Sequence, residues 1–118
     1  MPFQSNRRYL KDRTVEALGL LYAMHWPFRQ PDTARGVRRS ALHDRLLAQG
    51  ACFGEAVGWE RPNWFAPKGR EAKYEYSYGR QNWFEHSAAE QRAVRESVGL
   101  FDQSSFAKSL RGKTPNPS

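Results

Sequence analysis

The chain has 118 residues, room for one small domain but far short of a two-domain enzyme. Hydrophobic residues make up 39% and aromatic residues 14%, enough for a packed core, so wholesale disorder is excluded. Lysine and arginine number 19 against 12 acidic residues, and the single cysteine, Cys52, excludes an intramolecular disulfide and a cysteine-built zinc site.

The basic excess sits in the first half, where residues 1–50 carry nine basic and four acidic side chains. Such a balance favours phosphate-bearing or polyanionic partners but says nothing of the fold. The longest apolar stretch, Ala17 to Met24, is interrupted by Gly19 and is too short to span a bilayer. No charged-then-apolar leader opens the chain, and the expected setting is soluble and intracellular, without a membrane partner.

In chain order, Asn6 to Met24 reads as a helix, with Leu10, Thr14, Ala17, Leu18, Leu21 and Tyr22 on the face expected to be buried. Pro27 ends it, and a connector rich in proline, glycine and arginine runs to Arg39. A short helix follows. Ser40 caps it, Asp44 lies near its positive end, Leu42 and Leu46 are one turn apart, and Gly50 stops it. Ala51 to Trp59 reads as extended, with Phe53, Val57 and Trp59 on one face, and Gly54 and Gly58 marking a bulge or a close backbone approach.

Arg61 to Lys73 reads as a loop. Tyr74, Tyr76 and Tyr78 then alternate along an expected strand and share one of its faces. Ser87-Ala88-Ala89-Glu90 has the form of a capping box opening a last helix, with Val94 and Val98 in line, Arg92 facing Glu96, and Gly99 at its end. The polar, proline-rich residues 111–118 are expected to be disordered. The fold class is therefore α+β, three helices around a few short strands, and no internal repeat is visible.

No glycine-rich dinucleotide turn or Walker loop is present, and His25, His43 and His86 lack metal-ligand spacing. No serine or cysteine nucleophile has a recognisable context, and nothing pairs Glu55 with Glu60 as acid and base. No catalytic or metal-binding residue is assigned. Two aromatic runs remain. In GWERPNWF, Trp59, Trp64 and Phe65 either pack under a loop or stack on a flat heterocycle. In YGRQNWF, Arg80 is either a surface residue or a bidentate partner for a carboxylate or phosphate.

The run LHDRLLAQGACFGEAVGWERPNWFAP, followed by YSYGRQNWFEHSAAEQRAVRESVGLFDQSSFAK, resembles the start of the aminomethyltransferase (glycine-cleavage T-protein) fold. The aromatic insertion with NWFEH is most similar to that fold as carried by dimethylglycine and sarcosine dehydrogenases. Upstream, VEALGLLYAMHWPF resembles the end of the central domain of the same flavoenzymes. The resemblance divides the chain into 1–39, the end of an FAD-dependent oxidoreductase central domain with its connector, and 40–110, the incomplete N-terminal part of a folate-binding domain.

What the resemblance implies is an enzyme that oxidises an N-methyl group with FAD and passes the one-carbon unit to tetrahydrofolate. This chain is then a fragment, inactive alone, binding no cofactor alone. Its partners are the remainder of the parent enzyme and, through the flavin domain, a small N-methyl amino acid. Phe106 and Leu110 fall at family positions lining the folate pocket, and Trp59 and Arg80 are weaker cofactor contacts. Asp102 is expected to serve local structure. After FAK the pattern departs from the family's strand and glycine-proline turn, which reads as a truncation, a frameshift or a gene boundary. The implied location is cytoplasmic in a bacterium and the mitochondrial matrix in a eukaryote. Two other readings stay open: an aminomethyltransferase-like folate fragment without a flavin partner, and a small basic module binding nucleic acid through Tyr74, Tyr76 and Tyr78.

Overall fold

The computed structural model describes residues 5–24 and 29–107. In chain order these form α1 (Arg7–Gly19), α2 (His43–Ala48), β1 (Ala51–Ala56), β2 (Trp59–Phe65) and α3 (Phe84–Glu96). The class is α+β, as expected. His25, Pro27, Leu110 and the 111–118 tail lie outside the described residues.

Asn6 caps α1, its side chain accepting from the Tyr9 N–H at 3.1 Å. The helix stops at Gly19, short of the expected Met24. There the bonds tighten to Leu21 N–H on Leu18 O at 3.2 Å and Ala23 N–H on Leu20 O at 3.0 Å. Glycine is a poor helix former, and the chain turns away there even though Leu20, Leu21 and Ala23 favour helix. The expected facing of α1 is also overturned. Leu10, Leu18 and Leu21 are 45%, 64% and 60% exposed, and Tyr22 is 96% exposed. The half-buried side instead carries Arg13 and Glu16. Charged groups go inward because they find charge-assisted partners there. Arg13 donates to Glu55 and to the Thr33 carbonyl, both at 2.7 Å. Glu16 accepts from the backbone of Asp32 at 2.6 Å, from the Thr33 N–H at 3.1 Å and from the Thr33 hydroxyl.

Ser40 acts one turn before α2 rather than as its cap. Its carbonyl accepts from His43 N–H at 3.1 Å and its hydroxyl from Leu42 N–H at 3.3 Å. Gly50 ends the helix at φ +89°, a conformation open mainly to glycine. An added Cβ would stand 2.6 Å from the Ala66 carbonyl oxygen. Gly50→Ala is therefore expected to cost about 1–3 kcal/mol, read as a lowered midpoint in urea unfolding. An unchanged midpoint would remove the strain argument.

β1 and β2 form an antiparallel hairpin, Ala51 opposite Phe65 and Ala56 opposite Trp59. Arg61 to Phe65, expected as loop, belong to β2. The register slips between Cys52, paired with Trp64, and Phe53, paired with Pro62. A proline that cannot donate sits naturally beside such a bulge. Val57 and Gly58 turn the hairpin at φ 52° and 80°, the positive pair that a two-residue turn requires. Val57 is thus an exposed turn residue, not part of a strand face. Gly54 meets the expectation of close approach, since a side chain there would collide with Asn63 and press on Gln30.

Among the described residues, side chains and single backbone bridges, not further strands, cover the hairpin's edges. Gln30 Oε1 accepts from Glu55 N–H at 2.9 Å, and Arg35 donates to Phe53 O at 3.0 Å. On the other edge Arg38 bridges Trp59 in parallel, and Phe65 N–H reaches Glu90 at 3.2 Å. An edge covered in this way resists pairing with another chain. The expected strand Tyr74 to Tyr78 does not form; among the described residues the segment enters no ladder. Tyr74 and Tyr76 do share a face, with rings 5.7 Å apart at 5°, while Tyr78 is 70% exposed.

α3 begins at Phe84, ahead of the expected capping box, so Ser87 lies inside the helix and its N–H bonds Trp83 O at 2.9 Å. Glu90 has turned away to hold β2. The small core consists of Cys52, Trp64 and Ala66, with Ala72, Tyr74 and Trp83 packed against it.

Candidate functional site

A groove of about 1060 Å³ lies between β2, α3 and residues 100–106. Its lining includes Arg61, Phe65, Glu90, Val94, Phe101 and Phe106. The Arg61 guanidinium lies 4.7 Å from the centre of the Phe106 ring, a cation on an aromatic face. Phe101 and Phe106 remain 66% and 52% exposed. Asp102 accepts from Ser104 N–H at 2.9 Å, the local structural role expected of it. An open groove with aromatic walls suits a flat molecule, and its charged lining is balanced, Arg61 and Arg95 against Glu90 and Asp102.

Of the four cofactor candidates Phe106, Leu110, Trp59 and Arg80, only Phe106 among the described residues lines this groove, and Phe65, read as a possible stacking residue, lines it too. Trp59 lies on the hairpin with the Arg38 guanidinium 4.3 Å from its ring centre. Arg80 is turned to Glu85 at 3.0 Å and lies over Phe84 at 4.8 Å. Leu110 is outside the described residues. The structure therefore does not gather the four. Arg61 went unnoticed in the sequence because a lone arginine before a proline carries no local signal.

The second feature is a charge latch. Glu60, 6% exposed, receives Arg35 through both oxygens at 2.9 and 2.6 Å, and also the Gly36 N–H at 2.6 Å. Burial opposes ionisation of Glu60. The Arg35 and Gly36 hydrogen bonds, with the charges of Arg35 and His43, outweigh it and hold the carboxyl below its ordinary value. Glu55 is taken by Arg13 at 2.7 Å. Each of the two carboxylates therefore has its own arginine, an arrangement for holding chain segments together rather than for moving protons. His43 stacks on Phe53 at 4.4 Å and His86 on Trp64 at 5.7 Å, which accounts for both as packing residues. Burial pushes the Cys52 thiol above its ordinary value, so it is a core residue and no nucleophile.

No described helix is long and apolar enough to cross a membrane. Residues 42–114 match the family described as GCVT N-terminal domain, and residues 1–40 match the FAD dependent oxidoreductase central domain. Over 105 residues the chain is 59% identical to 4-methylaminobutanoate oxidase (formaldehyde-forming) of Paenarthrobacter nicotinovorans, covering 89% of this chain and 13% of that protein. It is 35% identical over 108 residues to the mitochondrial pyruvate dehydrogenase phosphatase regulatory subunit of Mus musculus, covering 89% of this chain and 12% of the relative. With human mitochondrial sarcosine dehydrogenase it shares 41% over 71 residues, 60% of this chain and 8% of that enzyme. The chain thus spans about an eighth or less of these relatives. It belongs to the GCVT N-terminal domain family, in the dimethylglycine and sarcosine dehydrogenase branch that joins this domain to an FAD dependent oxidoreductase central domain.

Proposed function

We propose that the chain is the junction of an FAD-dependent, tetrahydrofolate-linked dehydrogenase of N-methylated glycines, and is inactive by itself. One observation carries this reading. The two family matches meet between residues 40 and 42, and across that boundary Arg13 and Arg35 of the first clasp Glu55 and Glu60 of the second. The chain would then fix how the oxidising half sits against the one-carbon-accepting half. Phe106, with Arg61 over it, fits the ring and the acidic tail of a folate, and Leu110 stays a second contact. The described residues offer no glycine-rich phosphate turn, so FAD would be held by the remainder of the parent enzyme. Trp59 and Arg80 would act, if at all, outside the groove.

The test compares the 118-residue chain with the complete protein read from the gene across both ends. Each is supplied with FAD, tetrahydrofolate and an electron-accepting dye. Sarcosine, dimethylglycine and 4-methylaminobutanoate are offered in turn, the last because of the 59% identity to its oxidase. Dye reduction by the complete protein on an N-methylglycine, with no turnover by the chain, is the expected result. Turnover by the chain, or none by the complete protein on any of the three, overturns the reading. Preference for 4-methylaminobutanoate keeps the junction and moves the substrate. A second reading, a regulatory subunit without oxidation chemistry, draws on the 35% identity to the phosphatase regulatory subunit, and a complete protein without turnover favours it.

A further inference from the structure

Residues 73–82, between β2 and α3, close on themselves. The Asn82 side chain donates to the Lys73 carbonyl at 2.8 Å and accepts from the Glu75 N–H at 3.2 Å, which staples the two ends of the loop together. Its root is fixed on the hairpin. Tyr74 packs against the core of Cys52, Trp64 and Ala66, as does Trp83 just beyond the loop, and the Tyr74 oxygen accepts from Asn63 of β2 at 2.6 Å. The other two tyrosines cross to the segment after α1. Tyr76, its ring 5.7 Å from that of Tyr74, accepts from the Gln30 N–H at 2.8 Å and carries the Arg29 guanidinium 5.5 Å from its ring centre. The Tyr78 hydroxyl donates to the Met24 sulfur at 3.2 Å. Gln30 is gripped from both sides, because its own side chain accepts from the Glu55 N–H of β1 at 2.9 Å.

The tyrosines belong to the part matching the GCVT N-terminal domain, whereas Met24, Arg29 and Gln30 belong to the part matching the oxidoreductase central domain. The loop therefore spans the boundary, and with chemistry unlike that of the Arg13–Glu55 and Arg35–Glu60 pairs. Its outermost contact lies in water, with Tyr78 70% and Met24 73% exposed. Bonds so open to solvent add little stability, and their effect is on where Met24, Arg29 and Gln30 lie against the hairpin. We infer that residues 73–82 are a strap across the junction, and that Tyr76 and Tyr78 are positioning residues. They set the oxidising half at the distance from which the folate half captures the one-carbon unit, and oxidation itself does not need them. This rests on the proposed junction and deepens it by naming residues that act on transfer alone.

The test makes Tyr76→Phe together with Tyr78→Phe in the complete protein, which keeps both rings and deletes only the crossing hydroxyls. Tyr74→Phe deletes a hydroxyl whose partner, Asn63, lies on the same side of the boundary, and serves as the control. Each protein receives FAD, tetrahydrofolate, the dye and the amines of the turnover assay, with a scavenger for free formaldehyde. In the double variant, amide hydrogens across residues 29–36 are expected to exchange about fivefold faster, with dye reduction within about twofold of wild type. Its yield of 5,10-methylenetetrahydrofolate relative to trapped formaldehyde is expected to fall at least about threefold, since small misplacements cost transfer steeply. Tyr74→Phe is expected to leave both readouts unchanged. Faster exchange with an unchanged product ratio reduces the loop to packing and overturns the strap. Unaltered exchange, an equal fall in Tyr74→Phe, or lost dye reduction in the double variant overturns it as well. So does a wild-type protein that releases all its formaldehyde, and it does so with dye reduction intact, which separates this failure from a failure of the junction.

Discussion

Replacing Arg35 by methionine is expected to destabilise the chain by about 3–5 kcal/mol, the usual cost of stranding one member of a buried ion pair. Glu60 would stay buried with the Gly36 N–H as its remaining partner among those described above. The loss reaches further than one pair, because Arg35 also donates to Phe53 O at 3.0 Å and Pro31 O at 3.2 Å. One side chain thus ties the connector to the outer edge of β1. Small domains have only about 5–15 kcal/mol in hand, so the variant should unfold at a sharply lower urea concentration, read from tryptophan fluorescence. Arg35→Lys should recover little, since an ammonium cannot reproduce the two-pronged contact. Arg35→Met with Glu60→Met should recover more than either single variant. A loss under about 1 kcal/mol in Arg35→Met would show that the latch holds nothing.

The same latch sets a pH dependence. Burial raises the Glu60 pKa, but the hydrogen bonds from Arg35 and Gly36 lower it more, so the folded value lies below the ordinary 4.5. For a depressed carboxyl, the stabilisation is fully present above the unfolded value and is lost as pH falls through the folded one. Glu16 adds in the same sense. Burial is again overcome, here by the bonds from Thr33 and Asp32 and by the charge of Arg13. Wild-type stability should therefore hold down to about pH 4.5 and fall below it. Arg35→Met should lose the Glu60 share of that fall, because a buried carboxyl without its guanidinium favours protonation.

What could be read from the sequence was what local chemistry decides. Gly50 as a helix stop and the last helix depend on residues within one turn, and the glycine pattern marked Gly54, although one of the groups that approach it, Gln30, lies far along the chain. The errors share a cause. The α1 face and the Ser87 capping box are local patterns overridden by partners far along the chain: Glu55 is 42 residues from Arg13, and Glu90 is 25 from Phe65. Glu90 illustrates the competition, since a glutamate that fits a cap equally fits the open edge of β2. The same separation hid the latch, because Arg35 and Glu60 lie 25 residues apart. In the groove, Phe106 was reached through family resemblance, whereas Arg61 needed the geometry that lays it on that ring.

Trp64→Ala should be the other large loss, about 3–5 kcal/mol, for a different reason. Trp64 is 2% exposed and fills the core beside Cys52 and Ala66, with Tyr74 and Trp83 leaning on the cluster and His86 stacked on its ring. Truncation leaves a void that so small a core cannot close. Its indole N–H is buried and, among the described residues, has at most the weakly accepting Cys52 sulfur beside it, so the residue acts through shape more than through a polar contact. Trp64→Phe should accordingly cost less than about 1.5 kcal/mol, keeping most of the packing and removing a poorly satisfied donor. Limited trypsin digestion separates the two lesions. Arg35→Met should open the connector to cleavage at Arg29 and Arg39 while α3 stays protected. Trp64→Ala should loosen α3 so that its already exposed Arg92 and Arg95 become cleavable, because Trp64 and His86 join that helix to the hairpin and so set the two walls of the groove. If both variants opened the same sites, the chain would be one cooperative unit, and the division into a latch and a groove wall would fail.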